Sequence, residues 1–335
     1  MILCHSPGRS YVVRILAGVV FALITFKLLF PSFLPLPLPQ SRGQKAEVTL
    51  RPPASEIPIP RQIWQIFFAP ADVEILDESV IFASEWVFMS PGYGFHMFNE
   101  LDAAEFVDTT FLPSRPEIPA TYHALRNPAA KSDFLRYLLL LARGGIYADL
   151  DTQPLARPED WLPASNRRDT SLIIGLESDS TRDRAAGFAT EPVQFCQFTI
   201  AAAPNHPLLQ RMVDRTIAAL QDLARQQNTT LDQAVLGDED VIRASGPKGW
   251  SQVVLEWIKE TDASITGLHD FQGMDEPRYY GDVAVLPVES FRSDYLCGWG
   301  LRWGTEKSRK CLVRHYFAGA WRSSSKNTRS RGAGR

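Results

Sequence analysis

The stretch from Asn127 to Thr152 constrains this chain more than any other. Asn127-Pro128 supplies a capping side chain and then a proline in the first helical turn, where a missing N–H costs nothing. Behind them Phe134, Leu135, Leu138, Leu139 and Ala142 recur at helical spacing and predict one buried face. Gly144-Gly145 ends that helix, because glycine takes the positive-φ conformations of a helix end without steric cost. Ile146-Tyr-Ala-Asp-Leu-Asp151 then reads as a strand. A turn this short lays the strand beside its helix, which is how α/β layers are built.

The same alternation of short apolar runs and amphipathic stretches continues from residue 57 onward and predicts an α/β domain. Residues 63–68 read as its first strand, and 172–176, 283–286 and 312–317 as later ones. Pro207 opens a long helix to about residue 225, and Pro247 another to residue 260. The 335 residues, 45% hydrophobic and 22% charged, suffice for one large core or two modest ones. A net charge of −3 leaves no basic footprint for nucleic acid.

The N-terminus bears on the compartment. Residues 11–30 are apolar over about the length of a bilayer-spanning helix, with Arg14 and Lys27 near the ends, where their side chains can snorkel. A cleaved signal peptide is the rival reading, but a proline-rich stretch rather than a small-residue cleavage site follows. Arg9 and Arg14 precede the uninterrupted apolar core that begins at Ile15, so residues 1–10 are expected in the cytoplasm and the rest in the lumen. Residues 31–56 read as an extended stem, 57–321 as the catalytic domain and 322–335 as a basic, disordered tail. Asn228-Thr-Thr230 is the one glycosylation sequon. Cys297 and Cys311 are close enough for a disulfide, which leaves Cys196 odd and expected in the interior.

Period-two alternation in residues 146–151 puts Ile146, Ala148 and Leu150 toward a core and Tyr147, Asp149 and Asp151 on the opposite face. Two carboxylates then converge at the C-terminal end of a strand, where open α/β sheets bind ligands. Such a pair suits a hard divalent cation that completes its shell with water and phosphate oxygens. Asp-x-Asp alone is a weak signal, and Asp238-Glu-Asp240 repeats it in what reads as a solvated loop. Context distinguishes the first pair, since the preceding helix carries Lys131, Asp133 and Arg136. Asp133 and Arg136, three apart, also fit a plain surface ion pair.

Lys131-Ser-Asp-Phe-Leu-Arg136 with Gly144-Gly-Ile-Tyr-Ala-Asp-Leu-Asp-Thr152 resembles the DXD sugar-binding signature of glycosyltransferase family 32. Ile59-Pro-Arg-Gln-Ile-Trp-Gln65, the segment 194–208, Ser245-Gly-Pro247 and His315-Tyr-Phe-Ala-Gly-Ala-Trp321 match in order, closest to the fungal initiation-specific α-1,6-mannosyltransferases. The resemblance implies a GT-A fold with a mixed sheet flanked by helices and transfer with retention. It also implies Mn²⁺, GDP-mannose as donor, a glycan acceptor on a glycoprotein, and a single-pass type II protein of the Golgi membrane. Carried over, Asp149 and Asp151 are catalytic and hold the metal with His315. Trp64, Asp133, Arg136, Tyr147 and Trp321 bind the donor. Ser245 in place of the usual Thr, and Ala320 in place of the usual Ser, depart from the pattern.

Several residues keep a plainer reading at this stage. Trp64 is either core or a base-stacking platform, and His315 is either structural or a ligand. Glu177, at the end of a strand, and Ser245 are the acceptor-side candidates. An aspartate phosphatase would place Asp-x-Asp-x-Thr near its domain start, whereas Thr152 directly follows Asp151 here. A non-catalytic sugar-binding membrane protein would not need the four charged residues together. Another nucleotide sugar, or a sphingolipid acceptor, is the alternative within the enzyme class.

Overall fold

The computed structural model describes residues 59–68, 77–181, 191–292 and 311–317, all within one compact unit. The predicted membrane span, the stem, the basic tail, Cys297 and Trp321 lie outside the described residues. Among those described, no helix is long and apolar enough to cross a membrane.

In chain order the elements are β1 (Gln62–Ile66), α1 (Asp77–Met89), β2 (Gly94–Phe98), α2 (Glu100–Phe111), α3 (Glu117–Ala124), α4 (Pro128–Arg143), β3 (Gly145–Ala148) and β4 (Thr152–Pro154). They continue with β5 (Leu172–Asp179), β6 (Val193–Phe195), β7 (Thr199–Ala202), α5 (Pro207–Gln226), α6 (Asp238–Ala244) and α7 (Pro247–Thr261). The last are β8 (Arg278–Tyr280), β9 (Val283–Leu286), β10 (Phe291–Arg292) and β11 (Val313–His315). The larger sheet runs β2-β1-β3-β7-β5-β9-β8, with β6 paired to the far end of β5. β1 is parallel to β2 and β3, and β5 to β9, while β7 lies antiparallel between β3 and β5, so the sheet is mixed. A second sheet, β10-β11-β4, is smaller.

Successive residues of the central strands enter two separate cores. Trp64, Tyr147, Ile174, Ile200 and Val285 pack beneath α2 to α7. Ile63, Ile146, Ala148, Ile173 and Ala284 pack on the other side with Trp86 of α1, Trp161, Phe291 and Val313. Both faces of the sheet are therefore covered, as strands flanked by crossover helices require. This corrects the expectation of an open face at β3. Tyr147 is 1% exposed, and the strand ends at Ala148, before the carboxylates.

α4 follows its sequence signals closely. The Asn127 side chain accepts from the N–H groups of Ala129 and Ala130, and Gly144 takes φ +62° at the other end. Its burial was not foreseen, because Asp133, Arg136, Tyr137 and Leu140 are as buried as the apolar face. Gly145, at φ +98°, lies so close to β1 that an added Cβ would sit 2.6 Å from the Gln62 carbonyl oxygen and 2.9 Å from Trp64 Nε1.

Gly145→Ala combines a strained φ with a backbone clash, so we expect a loss of about 2–4 kcal/mol. Gly273→Ala also has a positive φ, +69°, but nothing within 4 Å of the new methyl. That change should cost only about 1 kcal/mol. Thermal denaturation of the two variants side by side checks the difference, and equal shifts would refute the close approach at Gly145.

Candidate functional site

Past β3 the chain makes a tight turn that is pinned from several directions. The Asp149 N–H donates to the Phe198 carbonyl at 2.8 Å. The Asp149 carbonyl accepts from Thr152 N–H at 3.1 Å, from Thr152 Oγ1 at 2.5 Å and from Gln65 Nε2 at 3.3 Å. Trp86 Nε1 from α1 lies 3.2 Å from both the carbonyl and the hydroxyl of Thr152. β4 then leaves the turn and pairs antiparallel with β11, so that Thr152 faces His315. Tyr316 N–H donates to the Asp151 carbonyl at 3.0 Å.

That pairing brings together residues 164 positions apart. His315 Nε2 lies 3.1 Å from Asp151 Oδ1. Ligand atoms of Asp149, Asp151 and His315 all fall within 4.8 Å of one another. The imidazole is gripped between the rings of Phe198, 4.1 Å away, and Phe317, 3.9 Å away. His315 is buried, whereas the two aspartates are half-exposed. Two carboxylates and one imidazole on an accessible rim fit a divalent cation with coordination positions left for water or phosphate oxygens. Three buried polar atoms around the site have no hydrogen-bond partner: His315 Nδ1, Arg136 Nε and Gln65 Oε1. Buried polar atoms are rarely left so, and their grouping here marks a place built to meet a polar ligand or water.

Beside the turn, Arg136 reaches out of α4 and is shared by two carboxylates. Its NH2 lies 2.9 Å from Asp133 Oδ1 and 3.3 Å from Asp149 Oδ1, and its plane sits 4.8 Å over the Tyr147 ring. Burial opposes its charge, yet Asp149, Tyr147 and Asp133 together raise its pKa further. Burial pushes the Asp133 carboxyl up to about 7, with Asp149 adding to the rise and Arg136, Ser245 and Gln197 working against it. Tyr147 donates to Asp149 Oδ1 at 2.5 Å, and burial holds its own pKa well above the usual phenol value. The supposed surface ion pair is thus a buried network joined to the metal group.

The loop between β6 and β7 ties these parts together, and nothing in the sequence singled it out for this. The consecutive carbonyls of Cys196, Gln197 and Phe198 accept from Trp250 Nε1, Arg136 NH1 and Asp149 N–H, at 3.0, 3.2 and 2.8 Å. The Gln197 side chain donates to Asp133 Oδ1 at 3.3 Å, and its Oε1 lies 2.6 Å from Tyr137 Oη. Its membership of a motif was visible in the sequence; its contacts with α4 were not.

The other expected site residues are placed as follows. Trp64 is 7% exposed, donates its indole N–H to the Gly144 carbonyl at 2.6 Å and stacks on His96. Its backbone pairs with Tyr147 while its indole reaches back to the Gly144 carbonyl, which places its ring in the core beneath the helices. Ser245 is buried behind Asp133, to which its Oγ donates at 3.0 Å, and is not open to an acceptor. Glu177 is half-buried at the end of β5 and accepts from Gln194 Nε2 at 2.8 Å. Burial raises its pKa, Gln194 and His315 lower it, and Asp149 raises it. Asn228 is exposed just after α5. Asp238-Glu-Asp240 is the first turn of α6 rather than a loop, with Asp240 Oδ2 accepting the Gly237 N–H. Cys196 is free and buried, and Cys311 is disulfide-bonded.

Comparison with known proteins agrees with this geometry. Residues 73–168 match the family model described as "Glycosyltransferase sugar-binding region containing DXD motif". The chain is 31% identical over 266 residues to the initiation-specific alpha-1,6-mannosyltransferase of Schizosaccharomyces pombe, covering 79% of this chain and 64% of that one. It is 30% identical to the Saccharomyces cerevisiae protein of the same name, covering 80% of this chain and 79% of that one. The match thus spans less than two thirds of the first relative and more of the second. Among solved structures, the PaToxG glycosyltransferase aligns at 16% identity with a TM-score of 0.41, over 63% of this chain and 76% of that one.

The buried network makes a pH-dependent prediction. Asp133 has its folded-state pKa raised from 3.8 to about 7, so its protonated form adds stability that is full below 3.8 and lost as pH rises through about 7. Arg136→Met removes the neutralising partner, and breaking a buried pair costs about 3–5 kcal/mol. We expect that loss in urea denaturation at pH 8 and a clearly smaller one at pH 5, where Asp133 takes up a proton. Equal losses at both pH values would remove Asp133 from the account.

Proposed function

From the premise that this chain belongs to family 32 of the glycosyltransferases, we propose that it is a metal-dependent, retaining glycosyltransferase of GT-A type that moves mannose from GDP-mannose to a glycan. The convergence of Asp149, Asp151 and His315 within 4.8 Å, beside a buried Arg136, carries the reading.

Asp149, Asp151 and His315 would hold the cation, Mn²⁺ in this reading. When bound, such a cation offsets the negative charge of the departing diphosphate. The chain's own part is to bind and orient. Tyr147 and Arg136 fix Asp149 from two sides, so its carboxylate is aimed before a donor arrives. Arg136 presents a planar cation to diphosphate or sugar oxygens, and Asp133 behind it takes part in donor binding by holding that cation in place. Trp321, by its place in the family motif, would contribute to diphosphate binding. Glu177, half-buried at the end of β5, is the acceptor-side carboxylate of this proposal.

The likeness to mannosyltransferases named for initiating α-1,6 addition supports an N-glycan acceptor with an α-1,6 product. Residues 11–30 would anchor the domain in the Golgi membrane, facing the lumen. In cells, Asn228 should then be glycosylated and the protein should stay with membranes through an alkaline wash. A soluble chain beginning near Pro31 would defeat the anchor.

The donor is tested by thermal shift with nucleotide sugars, with and without Mn²⁺. A ligand at a hundred times its Kd stabilises by about 2.7 kcal/mol, roughly 5–10 °C for a domain of this size. GDP-mannose with Mn²⁺ should give that shift, UDP-sugars much less, and Asp151→Ala none. Asp240→Ala should leave it intact. A larger shift with a UDP-sugar would overturn the mannosyl assignment and leave glycosyl transfer standing. An unchanged shift in Asp151→Ala would misplace the metal site.

A further inference from the structure

We propose that Gln197 is a positioning residue which, with Ser245, clamps Asp133 so that Arg136 stays aimed at Asp149, and that this clamp sets recognition of the sugar half of the donor. The inference rests on the function proposed above and adds residues that neither the DXD signature nor the metal group contains.

Both oxygens of Asp133 are taken. Oδ1 accepts from Gln197 Nε2 at 3.3 Å and from Arg136 NH2 at 2.9 Å, and Oδ2 accepts from Ser245 Oγ at 3.0 Å. A carboxylate held at both oxygens by three elements cannot rotate about its last bond. The Gln197 carboxamide is itself fixed, because Tyr137 Oη lies 2.6 Å from its Oε1 and 2.9 Å from the Ser245 carbonyl. The tyrosine hydroxyl has one proton for these two acceptors, and with Asp133 ionised the NH₂ rather than the oxygen of Gln197 faces the carboxylate. The main chain repeats the pattern, since the Gln197 carbonyl accepts from Arg136 NH1 at 3.2 Å. One residue thus touches both halves of the Asp133–Arg136 pair.

The consequence concerns Arg136. Its NH2 divides between Asp133 at 2.9 Å and Asp149 at 3.3 Å. If Asp133 turns, the planar guanidinium follows it, because its hydrogen-bond directions are rigid. Asp149 belongs to the metal group whereas Asp133 does not. Tyr147 still donates to Asp149 when Arg136 shifts, so loosening the clamp moves Arg136 while Asp149, Asp151 and His315 keep their places, and should weaken binding of the sugar more than of the diphosphate.

Binding of GDP-mannose and of GDP, each with Mn²⁺, is compared by calorimetry on the full-length protein in detergent. We expect Gln197→Met and Ser245→Ala to weaken GDP-mannose about tenfold, the effect of one lost hydrogen bond to a charged group. GDP affinity should stay within about twofold, and Ser245→Thr, which keeps the hydroxyl, should restore GDP-mannose binding. General loosening of the fold would weaken both ligands alike, and that result, or no change in either, overturns the proposal while the transferase reading stands. If the wild-type protein binds neither nucleotide, the function proposed above falls and takes this inference with it. Should Gln197→Met fail to fold, Ser245→Ala and Ser245→Thr carry the same comparison.

Discussion

The fold around the site is organised by one buried charge. Arg136 lies inside the protein, where an ion loses several kcal/mol of hydration, about the penalty that leaves buried pairs near break-even. Two carboxylates, a tyrosine face and a backbone carbonyl meet it from α4, β3, the turn after β3 and the β6–β7 loop. Removing any one leaves the others uncompensated, so the arrangement is held together by the cost of breaking it. A surface site would have no such constraint, because water would accept every loose group. Here each element must arrive in register, and the positions of α4, β3 and β7 relative to one another are fixed by the same contacts that aim Asp149.

The second sheet adds a long-range requirement. The chain brings a third candidate ligand, His315, to the two aspartates from far downstream by pairing β11 with β4. Because Thr152 is opposite His315, the residue one step earlier, Asp151, comes within hydrogen-bond reach of the imidazole. Trp86 enters from the other core and binds Thr152, which ties α1 to the same turn. The small sheet and α1 therefore serve the site as much as they cover the large sheet.

What the sequence made legible followed local physics. Helix α4 begins at an Asn-Pro cap and ends at Gly144, as composition alone required, and α5 and α7 open at their prolines. β9 runs over the same residues that were expected of it. β2, which pairs with β1 at the sheet edge, was missed because Gly94-Phe-His-Met-Phe98 has little alternation and an exposed Met97. The face of β3 was misread because alternation shows only that successive side chains diverge, not that one side meets water. On spacing alone Asp133 and Arg136 also fit a surface pair, for a related reason. Burial of a charge is decided by partners far away in sequence, here Gln197 and Ser245, and a helical period cannot display them.

The two Asp-x-Asp motifs show why spacing alone could not pick out a candidate metal site. At about 100° per residue, carboxylates two apart on a helix point roughly 200° away from each other and cannot share an ion. Asp238 and Asp240 stand in the first turn of α6, and Asp240 is occupied with the N–H of Gly237, where a negative charge also favours the helix N-terminus. Asp149 and Asp151 flank a tight turn instead, with Tyr147 and Arg136 aiming the first and β11 delivering His315 to the second. Among the described residues, only this trio gathers three such ligand atoms. What separates the two motifs is therefore the backbone conformation between the aspartates, held by Gly145 packing on β1, by the Phe198 carbonyl and by Trp86.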